Sequence, residues 1–156
     1  MRLKKDKPKN FESSSYSELD EVITRILEDT APREVDAAYL FGETADEEAS
    51  VLKAGVLLYA VGHVRRIAHC GARKGHAFPG AKNWTDKLVA MGIPRKDIYP
   101  VPLSKKFPPS THAEAFGLIH YARRHGWNSI YVVAPPLHQL RAFITTVSAV
   151  IKEKSH

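Results

Sequence analysis

Ser129-Ile-Tyr-Val-Val-Ala-Pro-Pro-Leu-His-Gln-Leu-Arg141 is the stretch on which the fold turns. Ser129 to Ala134 is a strongly apolar run of strand length, two prolines break it, and Leu137 opens a helical segment that continues to Ile151. A buried strand passing directly into a helix is one unit of an α/β chain. Moving towards the N-terminus, the same unit recurs. Ser110 to His125 reads as a helix terminated at Gly126, after a proline-rich loop from Pro102 to Pro109 and a short strand from Ile98 to Val101. Lys82 to Met91 is a helix stopped by Gly92 and Pro94, and Val64 to Cys70 is a strand ended by Gly71. Ala45 to Val61 is a helix with Val51, Ala54, Leu58 and Val61 on one face, preceded by the buried strand Asp36 to Gly42. Strand and helix therefore alternate four times. Right-handed crossovers connect parallel strands efficiently, so the pattern predicts an α/β, three-layer Rossmann-like domain with a mainly parallel central sheet.

Farther out, Thr30 to Val35 is a linker broken by Pro32, and Ser17 caps an expected helix to about Asp29, with Leu19, Val22, Ile23, Ile26 and Leu27 at helical spacing. That helix is expected to pack against the domain. Met1 to Tyr16 reads as a disordered basic tail with almost nothing apolar to bury. The organisation expected is thus a tail over 1–16 and a single domain over 17–156.

The 156 residues, 44% hydrophobic and 26% charged, suit one domain that folds without metal or disulfide. Cys70 is the single cysteine, which excludes an internal disulfide and multi-cysteine metal motifs. No apolar run is long enough to span a bilayer and no signal peptide opens the sequence, so a cytoplasmic protein with no membrane partner is expected. The formal charge is +6, but it is unevenly spread. Residues 1–10 hold five basic groups and one acid, residues 11–48 hold two basic groups and twelve acids, and the remainder carries sixteen basic groups against Asp86, Asp97, Glu114 and Glu153. A basic field in the later half favours an anionic ligand. Nucleic acid is the competing partner and is not favoured, because exposed aromatics do not interleave with the basic groups.

Residues at the C-terminal ends of parallel strands face the crevice where such sheets bind ligands, and each following helix presents unpaired N–H groups there. Four junctions converge by this argument: Gly42 with Glu43, Cys70 with Gly71, Ser110 with Thr111, His112 and Glu114, and Pro135 to His138. No glycine-rich dinucleotide fingerprint or phosphate loop follows any strand. Thr111 and Glu114 stand at capping-box spacing, which competes with a ligand role; Ser110 and His112 are left to face the crevice. Glu114 suits a base or an acceptor for a ligand's hydroxyl or amine. Arg141, three residues after His138, shares a helix face with it, and the pair could hold a phosphate or carboxylate; the alternative is two solvated side chains. Cys70 reads first as a buried thiol and second as a nucleophile. His69, His76 and His112 match no metal-ligand spacing, and Trp84 and Trp127 read as core. The candidate catalytic residues are His138, Glu114 and His112. The candidate ligand-binding residues are Gly42, Glu43, Cys70, Gly71, Ser110, Thr111 and Arg141, and no metal is expected.

The residues Leu40-Phe-Gly42, Leu57-Leu-Tyr59-x-x-Gly62, Ala81-x-x-Trp84 running on to Leu88, Gly92-Ile-Pro94 and Ile98, then Glu114 and His138-x-x-Arg141-Ala142, resemble in order and spacing the bacterial family built on domain of unknown function 218. Its members include YdcF-like, SanA-like and ElyC-like proteins, and the resemblance covers about Ala37 to Ile151. It implies a Rossmann-type fold and marks Gly42, Glu114, His138 and Arg141 as matching site positions. S-adenosylmethionine binding is associated with the YdcF-like members and envelope maintenance with the others. The sequence also departs from the family. No Arg lies between Arg33 and Arg65, Cys70-Gly71-Ala72 replaces Ser-Gly-Gly, Pro109 to Ala115 keeps only the glutamate of its motif, and Ala134-Pro135 replaces Thr-Ser. Such losses imply a divergent member with either a changed ligand or a purely structural role. The expectation carried forward is a protein that binds a small anionic or nucleotide-like molecule, S-adenosylmethionine included, at the strand ends. The alternative is a noncatalytic interaction or nucleic-acid-binding module.

Overall fold

The computed structural model describes residues 34–154 apart from His76, so the basic tail and the helix expected at 17–29 lie outside the described residues. Four strands alternate with four helices: β1 (Ala37–Leu40), α1 (Glu48–Ala60), β2 (Ile67–Cys70), α2 (Ala81–Ala90), β3 (Ile98–Val101), α3 (Thr111–His125), β4 (Ile130–Val133) and α4 (Pro136–Lys154). All strand pairs are parallel and their order is β3-β2-β1-β4. The chain builds outward from β1 to β3, then crosses back to lay β4 on the other side of β1. This is the three-layer Rossmann-like arrangement expected.

The layers follow from strand alternation, since successive side chains point to opposite faces. Ala37, Tyr39 and Phe41 enter one core with Leu118, Ile119, Trp127 and Ala142 of the α3 and α4 side. Ala38 and Leu40 enter the other with Val51, Leu52, Trp84 and Leu88 of α1 and α2. Trp84 and Trp127 are core, as expected. β1 is wholly buried because it is flanked by strands on both edges and helices on both faces.

The buried face of α1 differs from its expected one. Val51 is buried with Leu52 and Gly55, whereas Val61 follows the helix and is 55% exposed. A Cβ on Gly55 would stand 2.8 Å from Leu40 Cδ2, so the missing side chain is what lets α1 lie this close to β1. Across the same face, buried Glu48 accepts from Trp84 Nε1 at 2.8 Å and pairs with Lys87, joining α1 to α2. On the outer edge, the Gln139 side-chain amide donates to the Val132 carbonyl at 2.9 Å and accepts from the Ala134 N–H at 2.8 Å. It does for the end of β4 what a neighbouring strand would do, and so blunts an edge that could otherwise recruit one. Among the described residues no helix is long and apolar enough to cross a membrane.

Candidate functional site

The strand order reverses between β1 and β4, and in open α/β sheets ligands bind outside the strand C-termini at that reversal. A crevice of about 670 Å³ opens there. It is lined by Gly42 and Glu43 after β1, Cys70 and Gly71 at the end of β2, Ser110, Thr111 and Glu114 where α3 begins, and His138 and Arg141 from the start of α4. Nine of the ten expected site residues are thus brought together. His112 is the exception: its ring packs 4.5 Å from that of Phe107 and 4.8 Å from that of Phe116, beside the crevice rather than in its lining.

Glu114 does not close a capping box. Ser110, in extended conformation, is the N-cap and its Oγ accepts from the Ala113 N–H at 3.2 Å. The cap therefore sits one residue earlier than the Thr111–Glu114 spacing implies, and both residues are released to the crevice. Glu114 Oε2 accepts from the Gly42 N–H at 3.0 Å and from the Tyr39 hydroxyl at 3.1 Å. Burial pushes its carboxyl up to about 7, against the two hydrogen bonds and the nearby His138, which favour the anion. A Cβ on Gly42 would lie 3.0 Å from Cys70 Cβ and 3.3 Å from Glu114 Oε1, so a side chain here would press on both neighbours. Burial, with the Glu114 carboxylate beside it, pushes the Cys70 thiol up to about 12. At neutral pH it is a protonated packing group, in keeping with the first of its two readings.

His138 lies at the centre of a second set of contacts. Its Nδ1 meets the Glu43 carboxylate, and its Nε2 is 3.2 Å from Thr111 Oγ1. A carboxylate accepts, so Nδ1 carries a proton; in the neutral imidazole Nε2 then accepts from the threonine hydroxyl. The imidazole ring is buried, and Phe41 packs edge-on to it at 5.9 Å. Glu43, His138 and Thr111 come from three separate segments, after β1, at the start of α4 and at the start of α3. Each follows a strand or proline break, which is why all three reach the same end of the sheet.

No family model matches the chain, and comparison with curated proteins and with solved structures gives no significant match. Three cations stand on the lining of the crevice, Arg73, Lys74 and Arg141, and none makes an ion pair among the described residues. Arg73 and Lys74 were not anticipated. They lie in an irregular loop after β2, where no periodicity separates a ligand-facing lysine from a solvated one; their nearness to Gly71 was the one available signal. His69, by contrast, turns to the α1 and α2 side, with Nε2 3.0 Å from Thr85 Oγ1 and Nδ1 2.9 Å from the Cys70 carbonyl oxygen. Burial depresses its pKa to about 4. His69 and His112 thus belong to opposite faces of the sheet, and among the described residues no cluster of metal-ligating side chains is found.

Proposed function

We propose that the chain binds a small anionic or nucleotide-like molecule in the crevice at the β1–β4 reversal, and that His138 acts on it as a general base. The observation that carries this reading is the Glu43–His138–Thr111 chain of contacts facing a crevice with three cations on its lining that have no ion-pair partner among the described residues. The cations favour a phosphate or carboxylate, with Arg141 able to contact it through two N–H groups. A carboxylate behind the imidazole fixes its tautomer and stabilises the imidazolium that forms when Nε2 takes a proton. Glu114, half-ionised near neutral pH, orders Gly42 and can accept from a ligand hydroxyl or amine. In this reading acid–base work falls to His138 rather than His112, which is committed to Phe107 and Phe116.

S-adenosylmethionine, suggested by the family resemblance, has chemical groups to which these residues are suited: a carboxylate for Arg141 or Lys74 and a ribose diol for Glu43. Sugar phosphates and nucleotides offer the same pairing. The test is a thermal-shift screen over these three classes, with wild type and with the double variant His138→Ala/Arg141→Ala. A compound that stabilises wild type and not the double variant is expected. Equal stabilisation of both would remove the site.

A further inference from the structure

We infer that Thr111 is a nucleophile, and that the crevice cleaves a carboxylic ester carrying an anionic group by way of an acyl-threonine. This rests on the site reading above and narrows it to one reaction. Three observations combine. Thr111 Oγ1 stands 3.2 Å from His138 Nε2, within reach for proton transfer, and the far side of the same ring is held by Glu43, which completes the arrangement of nucleophile, base and orienting carboxylate. Ser110 has taken over the cap, so Thr111 is the first residue of α3 and its hydroxyl serves no backbone group. The N–H groups of Ala113 and Glu114 are occupied by Ser110 Oγ and Ser110 O, whereas among the described residues those of Thr111 and His112 have no partner. These two can donate to an oxygen that becomes negative next to Thr111.

The competing nucleophile, Cys70, is a protonated thiol beside a carboxylate, and the one imidazole against it, His69, meets its carbonyl oxygen rather than its sulfur among the described residues. An acyl carbon suits the centre better than a phosphoryl group does. Glu43 and Glu114 flank it and would repel a phosphoryl dianion at the reacting atom, while Arg73, Lys74 and Arg141 can hold an anionic group elsewhere on the ester.

Thr111 Oγ bonds to the acyl carbon as its proton passes to His138 Nε2 and the carbonyl π pair moves onto oxygen. Collapse of the adduct breaks the bond to the alkoxy oxygen, which takes the proton from Nε2 and leaves as the alcohol. Water then attacks the threonyl ester, giving a proton to Nε2, and the second collapse returns that proton to Thr111 Oγ. The sum is ester plus water giving carboxylic acid plus alcohol, with no other reactant.

Two probes test it on the full chain. 4-Nitrophenyl succinate, an activated ester with a free carboxylate, should be hydrolysed by wild type, with a succinyl adduct mapping to Thr111 by peptide mass spectrometry. Thr111→Val should lose turnover and adduct, Thr111→Ser should keep both, and His138→Ala should lower turnover by about 10²–10⁴-fold. A fluorophosphonate, which expels fluoride on reaction with an activated hydroxyl, should label wild type and Thr111→Ser but not Thr111→Val. Hydrolysis unchanged in Thr111→Val, a label at another residue, or no reaction of wild type with either probe overturns the proposal. Stabilisation by the anions of the thermal-shift screen, measured in Thr111→Val, separates the two readings: if it persists while Thr111 proves unreactive, the nucleophile fails and the binding site stands.

Discussion

Glu114 and His69 are buried ionisable groups on opposite faces of the sheet, and burial disfavours the charged form of each. The consequences for stability have opposite signs. Glu114 titrates near 7 when folded and near 4.5 as a free side chain, so between these values the folded state holds the extra proton and stability falls as pH rises. His69 titrates near 4 when folded and near 6.5 when free, so between these values the unfolded state holds the extra proton and stability rises with pH. Each effect is of order 3 kcal/mol, and in the overlapping window they nearly cancel. Urea unfolding across the acid range should therefore show that the stability difference between wild type and Glu114→Gln shrinks from pH 4.5 to 7, while that between wild type and His69→Gln grows from pH 4 to 6.5. Differences that do not vary with pH would contradict the assigned protonation states. Removing one hydrogen bond to the anion should also move Glu114 further: carboxyl NMR titration of Tyr39→Phe should give a value above that of wild type, and an unchanged value would mean the 3.1 Å bond from Tyr39 carries no weight.

α3 shows how one residue of register at a helix start alters chemistry. Ser110→Ala removes the oxygen that accepts from Ala113 and should cost about 1 kcal/mol in denaturant unfolding, with Thr111→Val costing less because it is not the cap. The reverse order would restore the capping box. The elements themselves were largely legible in the sequence, since glycine and proline punctuate them: Gly71 after β2, Gly92 and Pro94 after α2, Gly126 after α3, and Pro135 before α4, which opens on Pro136. Parallel alternation also located the strand ends, and with them most of the candidate site. What one-dimensional spacing did not carry is direction. Thr111 and Glu114 fit a local pairing three residues apart, yet their partners lie 27 and 75 positions away in His138 and Tyr39. Glu43 gave no hint of its imidazole, because a hydrogen bond between segments 95 positions apart leaves no periodic trace. Gly42 is a close point of the arrangement. Gly42→Ala should lower both thermal stability and ligand-induced stabilisation, since its Cβ meets Cys70 and the very carboxylate that holds its N–H.

For the molecule as a whole, the charge asymmetry along the chain acquires a location. The later, basic part of the sequence supplies Arg73, Lys74 and Arg141 to the crevice, while Glu43, from the acidic part, sits beneath them against His138. Cations on an open lining attract an anion over a distance set by the ionic strength, about 8 Å near physiological salt. Affinity for a multiply charged anion such as inorganic pyrophosphate should fall as salt rises, and calorimetric titration at two salt concentrations measures it; salt-independent affinity would point to a mode of binding that bypasses the three cations. A basic groove also lies elsewhere, where Lys105, Lys106, His120 and Arg124 line a cavity of about 390 Å³ beside the Pro102–Ser104 loop, so location must be tested along with affinity. The most direct measurement is an amide chemical-shift titration of the isotope-labelled chain with pyrophosphate, S-adenosylmethionine and a sugar phosphate. For at least one of them, the perturbations should centre on Gly42, Gly71, Thr111 and His138 at the β1–β4 reversal. Perturbations centred instead on Lys105, Lys106 and Arg124, or no perturbation at the strand ends with any of the three, would contradict the account.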